Sequence, residues 1–268
     1  MSTHDRPWLE DVLLSTGEYQ RNAQAELTVE DTDLKGRVDL VTEIDHTSEN
    51  RIVEAIRNNC PEDSVLAEES FQHSGTSNRT WIIDPLDGTT NYVHGHPFYG
   101  ISVGLQVDDQ IESGMTYFPE SEDLYWASSG QGSFKNGEPI SVSETESPMD
   151  SFLATGFADL RSENSDLRYN LEVFPDILEN VQGIRRAGSA VHDLCLLAEG
   201  VFDGFWEFNL EPWDVAAGSV IVEEAGGTVT DVTGGNGWLN DKNITASNGA
   251  IHEQLKEWIM PHLPDSFP

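Results

Sequence analysis

Lysine is nearly missing from this chain: only Lys35, Lys135, Lys242 and Lys256 occur, and Lys plus Arg number 14 against 48 Asp plus Glu, for a formal charge of −34. Such an excess of negative charge repels phosphate backbones and anionic headgroups, which argues against nucleic acid or an acidic membrane surface as partner. Cysteine is as scarce, with Cys60 and Cys195 alone. Two are too few for a disulfide framework and fit a reducing compartment; Cys195 stands in an apolar helical run and reads as core. No apolar run reaches membrane-spanning length and residues 1–10 hold no leader-like apolar core, so a soluble, cytoplasmic protein is expected. The sequons at Asn78 and Asn243 are then coincidental. Also missing are an internal repeat, a low-complexity linker and a Walker loop, and the last absence argues against nucleotide-driven transfer.

The acids are spread along the chain rather than gathered in a tail, and aromatic, Val and Ile residues recur throughout. This is the composition of a folded protein with a charged shell, not of a disordered one. At roughly 1 M salt the Debye length is about 3 Å, which screens repulsion between surface carboxylates. The charge balance therefore points to a halophilic protein, with an ordinary acidic protein as the alternative. At 268 residues the chain reads as one domain over 1–268, with an N-terminal lobe over about 1–150 and a C-terminal lobe over about 151–268.

Hydrophobic periodicity predicts a helix over 8–27, a turn at 35–37, an extended or looped piece over 38–44 and a second helix over 47–59 ended by Pro61. Strands are expected at 64–67, 81–83, 152–156, 202–208 and 227–232, with strands and turns over 101–134. Further helices are expected over 164–180, 191–199, 215–225 and 251–259. Helices and strands mix without strict alternation, which favours layered α/β sheets over a simple doubly wound fold.

The most informative stretch is Trp81-Ile-Ile-Asp84-Pro85-Leu86-Asp87-Gly88-Thr89-Thr90-Asn91. An apolar strand run is cut at Pro85, which has no N–H for a ladder. Gly88-Thr89 is able to open a helix whose first amides lack internal partners and attract an anion. Carboxylates for a hard cation beside amides for a phosphate suggest metal-assisted phosphate chemistry. Glu68 follows the strand at 64–67 and Asp214 opens the helix at 215, the strand ends and helix starts where α/β folds gather their sites.

Each of these has a plainer reading. Asp214 alone is as well explained as a helix-start carboxylate, Asp45 and Thr89 as helix caps, and Glu68-Glu69 as a solvated pair. The set is stronger than its members. Four carboxylates meeting without a cation repel and force protonation, whereas two Mg²⁺ about 3.5–4 Å apart would make them a clamp for in-line phosphoryl hydrolysis. Residues 31–42 begin like a calcium loop but place Lys35 fifth and Thr42 twelfth, where a ligand oxygen and a Glu are needed. Asp84 and Asp87 lack the Asp-x-Asp spacing of an aspartyl-phosphate nucleophile, so an activated water is preferred to a covalent intermediate.

The stretch Trp81–Tyr92, the run Trp213-Asp-Val-Ala-Ala-Gly218 and Glu224-Ala-Gly-Gly227 are joined by Lys35–Asp45, Ala67-Glu-Glu-Ser70 and Arg185-Arg-Ala-Gly-Ser-Ala190. In these motifs, in order and over nearly its whole length, the sequence resembles the inositol monophosphatase family of lithium-sensitive, magnesium-dependent sugar phosphatases. The resemblance implies a layered αβαβα sandwich, usually a homodimer, and hydrolysis of inositol 1-phosphate or a related sugar phosphate by metal-activated water, with two or three Mg²⁺ per site. It implies Glu68, Asp84 and the Leu86 carbonyl as ligands of one Mg²⁺, and Asp84, Asp87 and Asp214 as ligands of a second. Thr89, supported by Asp45 and Glu68, matches the group that orients and deprotonates the attacking water. The amides of Gly88 and Thr89 match phosphate-holding positions, while Asp87, Gly188, Ser189, Ala190 and Glu207 match the substrate wall.

On its own Glu207 reads as a surface strand acid. Ala67 replaces a family Gly, a change the backbone tolerates if φ there is negative. The polar stretch 159–166 matches nothing in the family pattern. Fructose 1,6-bisphosphate and 3′-phosphoadenosine nucleotides are the alternative substrates, and Asn91-Tyr92-Val93 with Gly95 and Pro97 resembles the inositol branch. A non-catalytic metal- or sugar-phosphate-binding protein is a further alternative; it would be expected to lose Thr89, Asp45 or a ligand, and all are present.

Overall fold

The computed structural model describes residues 5–26, 34–69, 71–157, 167–264 and 267. The stretch 159–166 lies outside these residues, as does the start of the helix expected over 164–180. The first sheet holds β1 (Ser64–Ala67), β2 (Gln72–His73), β3 (Arg79–Asp87), β4 (Gly100–Val107), β5 (Gln110–Phe118), β6 (Asp123–Ser128), β7 (Ser133–Lys135) and β8 (Glu138–Ile140). Its strand order is β2-β1-β3-β4-β5-β6-β7-β8. The second holds β9 (Phe152–Thr155), β10 (Gly183–Arg185), β11 (Gly204–Phe208), β12 (Thr228–Thr230) and β13 (Asn243–Ser247), in the order β10-β9-β11-β13-β12. The helices are α1 (Asp5–Glu26), α2 (Leu34–Asn59), α3 (Thr89–Val93), α4 (Leu167–Leu178), α5 (Ala190–Ala198), α6 (Pro212–Glu224) and α7 (His252–Ile259).

Side-chain alternation along β3 divides the layers. Trp81 and Ile83 pack with Leu9, Leu13, Ile52, Val53 and Ile56 of α1 and α2. Ile82 points the other way, into a core shared by Val191 and Leu194 of α5, Val215 and Ile221 of α6, and Phe205 and Ile244 of the second sheet. On the far side of that sheet Leu153, Trp206 and Phe208 pack with Val173 and Ile177 of α4 and Leu255 and Ile259 of α7. The result is helix pair, sheet, helix pair, sheet, helix pair: the expected αβαβα sandwich.

Two glycines fix the height of the middle layer. Gly104 and Gly114 are register partners on β4 and β5. A Cβ on Gly104 would lie 2.8 Å from the Ala216 Cβ, and one on Gly114 would lie 2.6 Å from the Ala217 carbonyl oxygen. The flat spot they leave lets α6 settle on the sheet.

Local pattern misjudged two elements near the site. The piece expected as extended over 38–44 belongs to α2, which starts at Leu34 rather than 47. Its inward face from residue 44 on is Ile44, Asp45, Ser48, Glu49 and Ile52, all buried. That is helical spacing, but three polar members break the apolar stripe that periodicity reads. Asp45 is consequently interior to α2 and caps nothing. Strand β3 also runs past Pro85 to Asp87, through a register shift in which Asp84 faces Ser102 and Asp87 faces Gly100. Pro85 does not end the strand; it sits in the bulge, where no ladder N–H is required.

Candidate active site

Parallel pairing of β1 and β3 sets Ala67 opposite Ile83, and the Glu68 amide donates to the Ile83 carbonyl at 3.2 Å. Glu68 and Asp84 therefore leave their strands side by side. Ala67 is not among the described non-glycine residues with positive φ, so its methyl is accommodated as expected. The Leu86 amide donates to Asp84 Oδ1 at 2.9 Å, closing the bulge on itself, and Gln20 Nε2 from α1 donates to the Pro85 carbonyl at 2.7 Å. Gly88 takes φ 84°, and a Cβ there would meet the Phe98 carbonyl at 2.7 Å, so the turn into α3 requires glycine on both counts.

Asp87 and Asp214 reach the same point from other layers. Asp87 Oδ2 accepts from the Ser189 hydroxyl and, at 3.1 Å, from the Val191 amide at the start of α5. Asp214 lies in the first turn of α6 and its Oδ2 accepts from the Glu211 amide at 2.7 Å. The helix-start reading of Asp214 is thus correct and does not exhaust it. Asp84, Asp87 and Asp214 each offer a carboxylate oxygen such that all three lie within 4.8 Å of one another.

This convergence is electrostatically costly. Burial first, and then Glu68, Asp87 and Asp214, push Asp84 well above the usual carboxylate range. Asp87 rises to about 7 through burial, against opposing bonds from Ser189 and Val191, and Asp214 rises to about 7 through burial and Asp87. Glu68 stands at the solvent-exposed mouth, where water softens the effect, and is lifted to about 7 by desolvation, with a hydrogen bond to Asp84 opposing. Among the described residues the donor set is oxygen alone, buried at Asp84 and Asp87 and short of positive charge, which fits a hard divalent cation.

Asp45 is 4% exposed, its Oδ1 has no hydrogen-bond partner, and burial followed by Glu69, Glu68 and Glu49 raises it to about 8. The Thr89 hydroxyl donates to the Leu86 carbonyl at 3.1 Å, so its proton is directed there rather than at Asp45 or Glu68. Glu49, which accepts the Glu69 amide at 2.9 Å, belongs to the same acidic group. Its signal was available only through the α2 face.

Beside the trio lies a cavity of about 240 Å³, which gathers Asp87, Gly188, Ser189, Ala190, Glu207 and Asp214. Glu68, Asp84, Leu86 and Thr89 are not among the described residues that line it. Glu207 is 7% exposed rather than a surface acid, and a Cβ on Gly156 would come 2.0 Å from its Oε2. The side chain of Ser189 is committed to Asp87 and also caps α5, accepting the His192 amide at 3.1 Å. Sequence reading assigned no role to Phe157, Arg186 and Asn209, which line the same cavity. Asn91, which in sequence marks only the branch of the family, has a structural role as well: its Nδ2 donates to the carbonyls of Phe98 at 2.6 Å and Ala187 at 2.9 Å and so ties α3 to the wall.

A family model described as the inositol monophosphatase family matches residues 13–266. The chain is 41% identical, over 92% of its length and 94% of the relative's, to a putative Nus factor SuhB of Neisseria meningitidis serogroup B. It is 39% identical, over 90% and 89%, to a fructose-1,6-bisphosphatase/inositol-1-monophosphatase of Aquifex aeolicus. The solved structure of an inositol monophosphatase from Anabaena (Nostoc) sp. superposes with a TM-score of 0.81 at 34% identity, covering 96% of this chain and 94% of that one. With a five-layer sandwich around three converging aspartates and a match over almost its whole length, this chain belongs to the inositol monophosphatase family.

Proposed function

We propose that the protein is a Mg²⁺-dependent phosphomonoester hydrolase acting on inositol 1-phosphate or a related sugar phosphate, and that the whole chain forms one catalytic unit. The supporting observation is the trio Asp84, Asp87 and Asp214, with oxygens within 4.8 Å, opening on the 240 Å³ cavity. Glu68, Asp84 and the Leu86 carbonyl would hold one cation, and Asp84, Asp87 and Asp214 a second. Bound there, Mg²⁺ would supply the positive charge that draws in a phosphate and makes water a better nucleophile at neutral pH.

The remaining steps fall to the chain. Thr89 would orient and deprotonate the attacking water, supported by Glu68 and by Asp45, whose Oδ1 has no hydrogen-bond partner. Amides of Gly88 and Thr89 would bind the phosphate. Gly188, Ser189 and Ala190 would shape the wall against the sugar, and buried Glu207 would accept a hydrogen bond from a sugar hydroxyl. We also propose a homodimer in the cytoplasm; no described helix is long and apolar enough to cross a membrane.

The test is phosphate release with Mg²⁺ from inositol 1-phosphate, fructose 1,6-bisphosphate and 3′-phosphoadenosine 5′-phosphate, with Asp87→Asn alongside. Release from one of these, lost in the variant, supports the reading. Cation binding without release from any would leave a binding protein.

A second reading, a Nus-factor-like role, is favoured by the 41% identity to a relative of that name. At a charge of −34 such a role would run through protein contacts rather than nucleic acid. Co-purification of transcription proteins with a tagged chain would test it.

A further inference from the structure

The buried stripe of α1 runs Leu9, Leu13, Thr16, Gln20 at helical spacing, each 0% exposed. Its first half packs on Trp81 and Ile83 of β3. Its last member is polar and lies against the bulge of the same strand. A buried side-chain amide is costly unless its donors are used. Here both are: Gln20 Nε2 donates to the Pro85 carbonyl at 2.7 Å and to the Ser48 hydroxyl oxygen of α2 at 3.1 Å. A carbonyl only accepts, so it is the Nε2 end of the amide that must face Pro85. Gln20 Oε1 has no partner among the described residues. An apolar side chain of the same length would fill the position without that unpaired oxygen, and the donors are what it would lack.

The Pro85 carbonyl and the Leu86 amide are the two ends of one planar peptide group. Gln20 holds the oxygen end, and the N–H end donates to Asp84 Oδ1 at 2.9 Å. The ring fixes φ at Pro85, and the bond to Gln20 restrains the rotation that remains about its Cα–C bond. Hydrogen bonds in such a chain also polarise one another. The main-chain carbonyl of Gln20 accepts the buried Tyr92 hydroxyl at 2.6 Å, so α3, which begins at Thr89, is tied to the same turn of α1.

We infer that Gln20 is a positioning residue that sets the direction of the Asp84 carboxylate through the Pro85–Leu86 peptide plane. This rests on the reading of Asp84 as a cation ligand and adds the side chain that aims it.

Gln20→Met keeps the length of the side chain and removes its donors. In cation-free protein, amide hydrogen exchange followed by NMR should show Leu86 exchanging about 10-fold faster, the effect of about one lost hydrogen bond, while amides of the β4–β5 ladder keep their protection. Titration calorimetry should show Mg²⁺ affinity falling about 10-fold or more, as for other groups that orient a metal ligand without touching the metal. Ile52→Val trims the core between the same helices and β3 and supplies a loss of Tm for comparison; its Mg²⁺ affinity should match the wild type. Unchanged exchange at Leu86 or unchanged Mg²⁺ affinity in Gln20→Met overturns the inference. So does an equal loss of affinity in Ile52→Val, which would trace the effect to packing alone. A wild type that binds no Mg²⁺ removes the cation reading of Asp84, and exchange at Leu86 then still decides whether Gln20 holds the peptide plane against Asp84.

Discussion

The Ser189 hydroxyl donates to Asp87 Oδ2 while its oxygen accepts the His192 amide, so one side chain caps α5 and steadies a carboxylate that lies 102 residues earlier in the chain. Ser189→Ala removes both functions. The lost cap is worth about 1 kcal/mol, which lowers Tm by about 2–4 °C in a protein of this size. Asp87 loses a bond that holds its pKa down, so cation affinity should fall as well. Scanning and titration calorimetry check the two effects, and unchanged Mg²⁺ affinity would count against Asp87 as a ligand.

Cation-free protein should lose stability as pH rises. Asp87, Asp214 and Glu68 are lifted to about 7, from the ordinary carboxylate range of about 4. Between those limits the folded state holds protons that the unfolded chain has released, so these groups destabilise the fold progressively from about pH 4 to about pH 7. Cation binding takes the place of those protons. EDTA-treated protein should therefore gain more Tm from Mg²⁺ at about pH 8 than at about pH 5.5. Equal gains at both would show that the trio does not hold the ion.

Gly114→Ala places a methyl 2.6 Å from the Ala217 carbonyl oxygen, backbone that cannot swing away. Helix α6 must lift, at about 1–3 kcal/mol, and Asp214 lifts with it. Denaturant melts should show the loss, with Mg²⁺ affinity falling alongside. A destabilised variant with wild-type affinity would uncouple the packing of α6 from the site.

The acidic shell predicts a need for salt. Far-ultraviolet circular dichroism across about 0.1–3 M KCl should show the folded signal and the melting temperature rising with salt as screening takes hold. Full cooperative stability at the lowest concentration would refute the halophilic reading.

Trp81, Ile82 and Ile83 are enough to read from sequence a strand buried on both faces, and with the run to Thr89 they place carboxylates at its end. The cap reading of Asp45 fails because its neighbours on the inner face of α2, Ser48 and Glu49, are polar and hide the helical stripe. On composition alone Glu207 reads as a surface acid, because most acids in so charged a chain are solvated and burial of one of them leaves no local mark; only the family motif points inward.

The sequence by itself determined the charge, the alternation that sorts side chains into layers, and the motif that carries the carboxylates, since all of these are properties of composition and near-neighbour spacing. Only the tertiary structure decided that Ser189 holds Asp87, that paired Gly104 and Gly114 seat Ala216 and Ala217, and that Arg186 faces the buried carboxylates of Glu207 and Asp193. Each of these joins elements from different layers, most of them about 100 residues apart in the chain. No periodicity reports such contacts, because they exist only once the sheets and helices have packed.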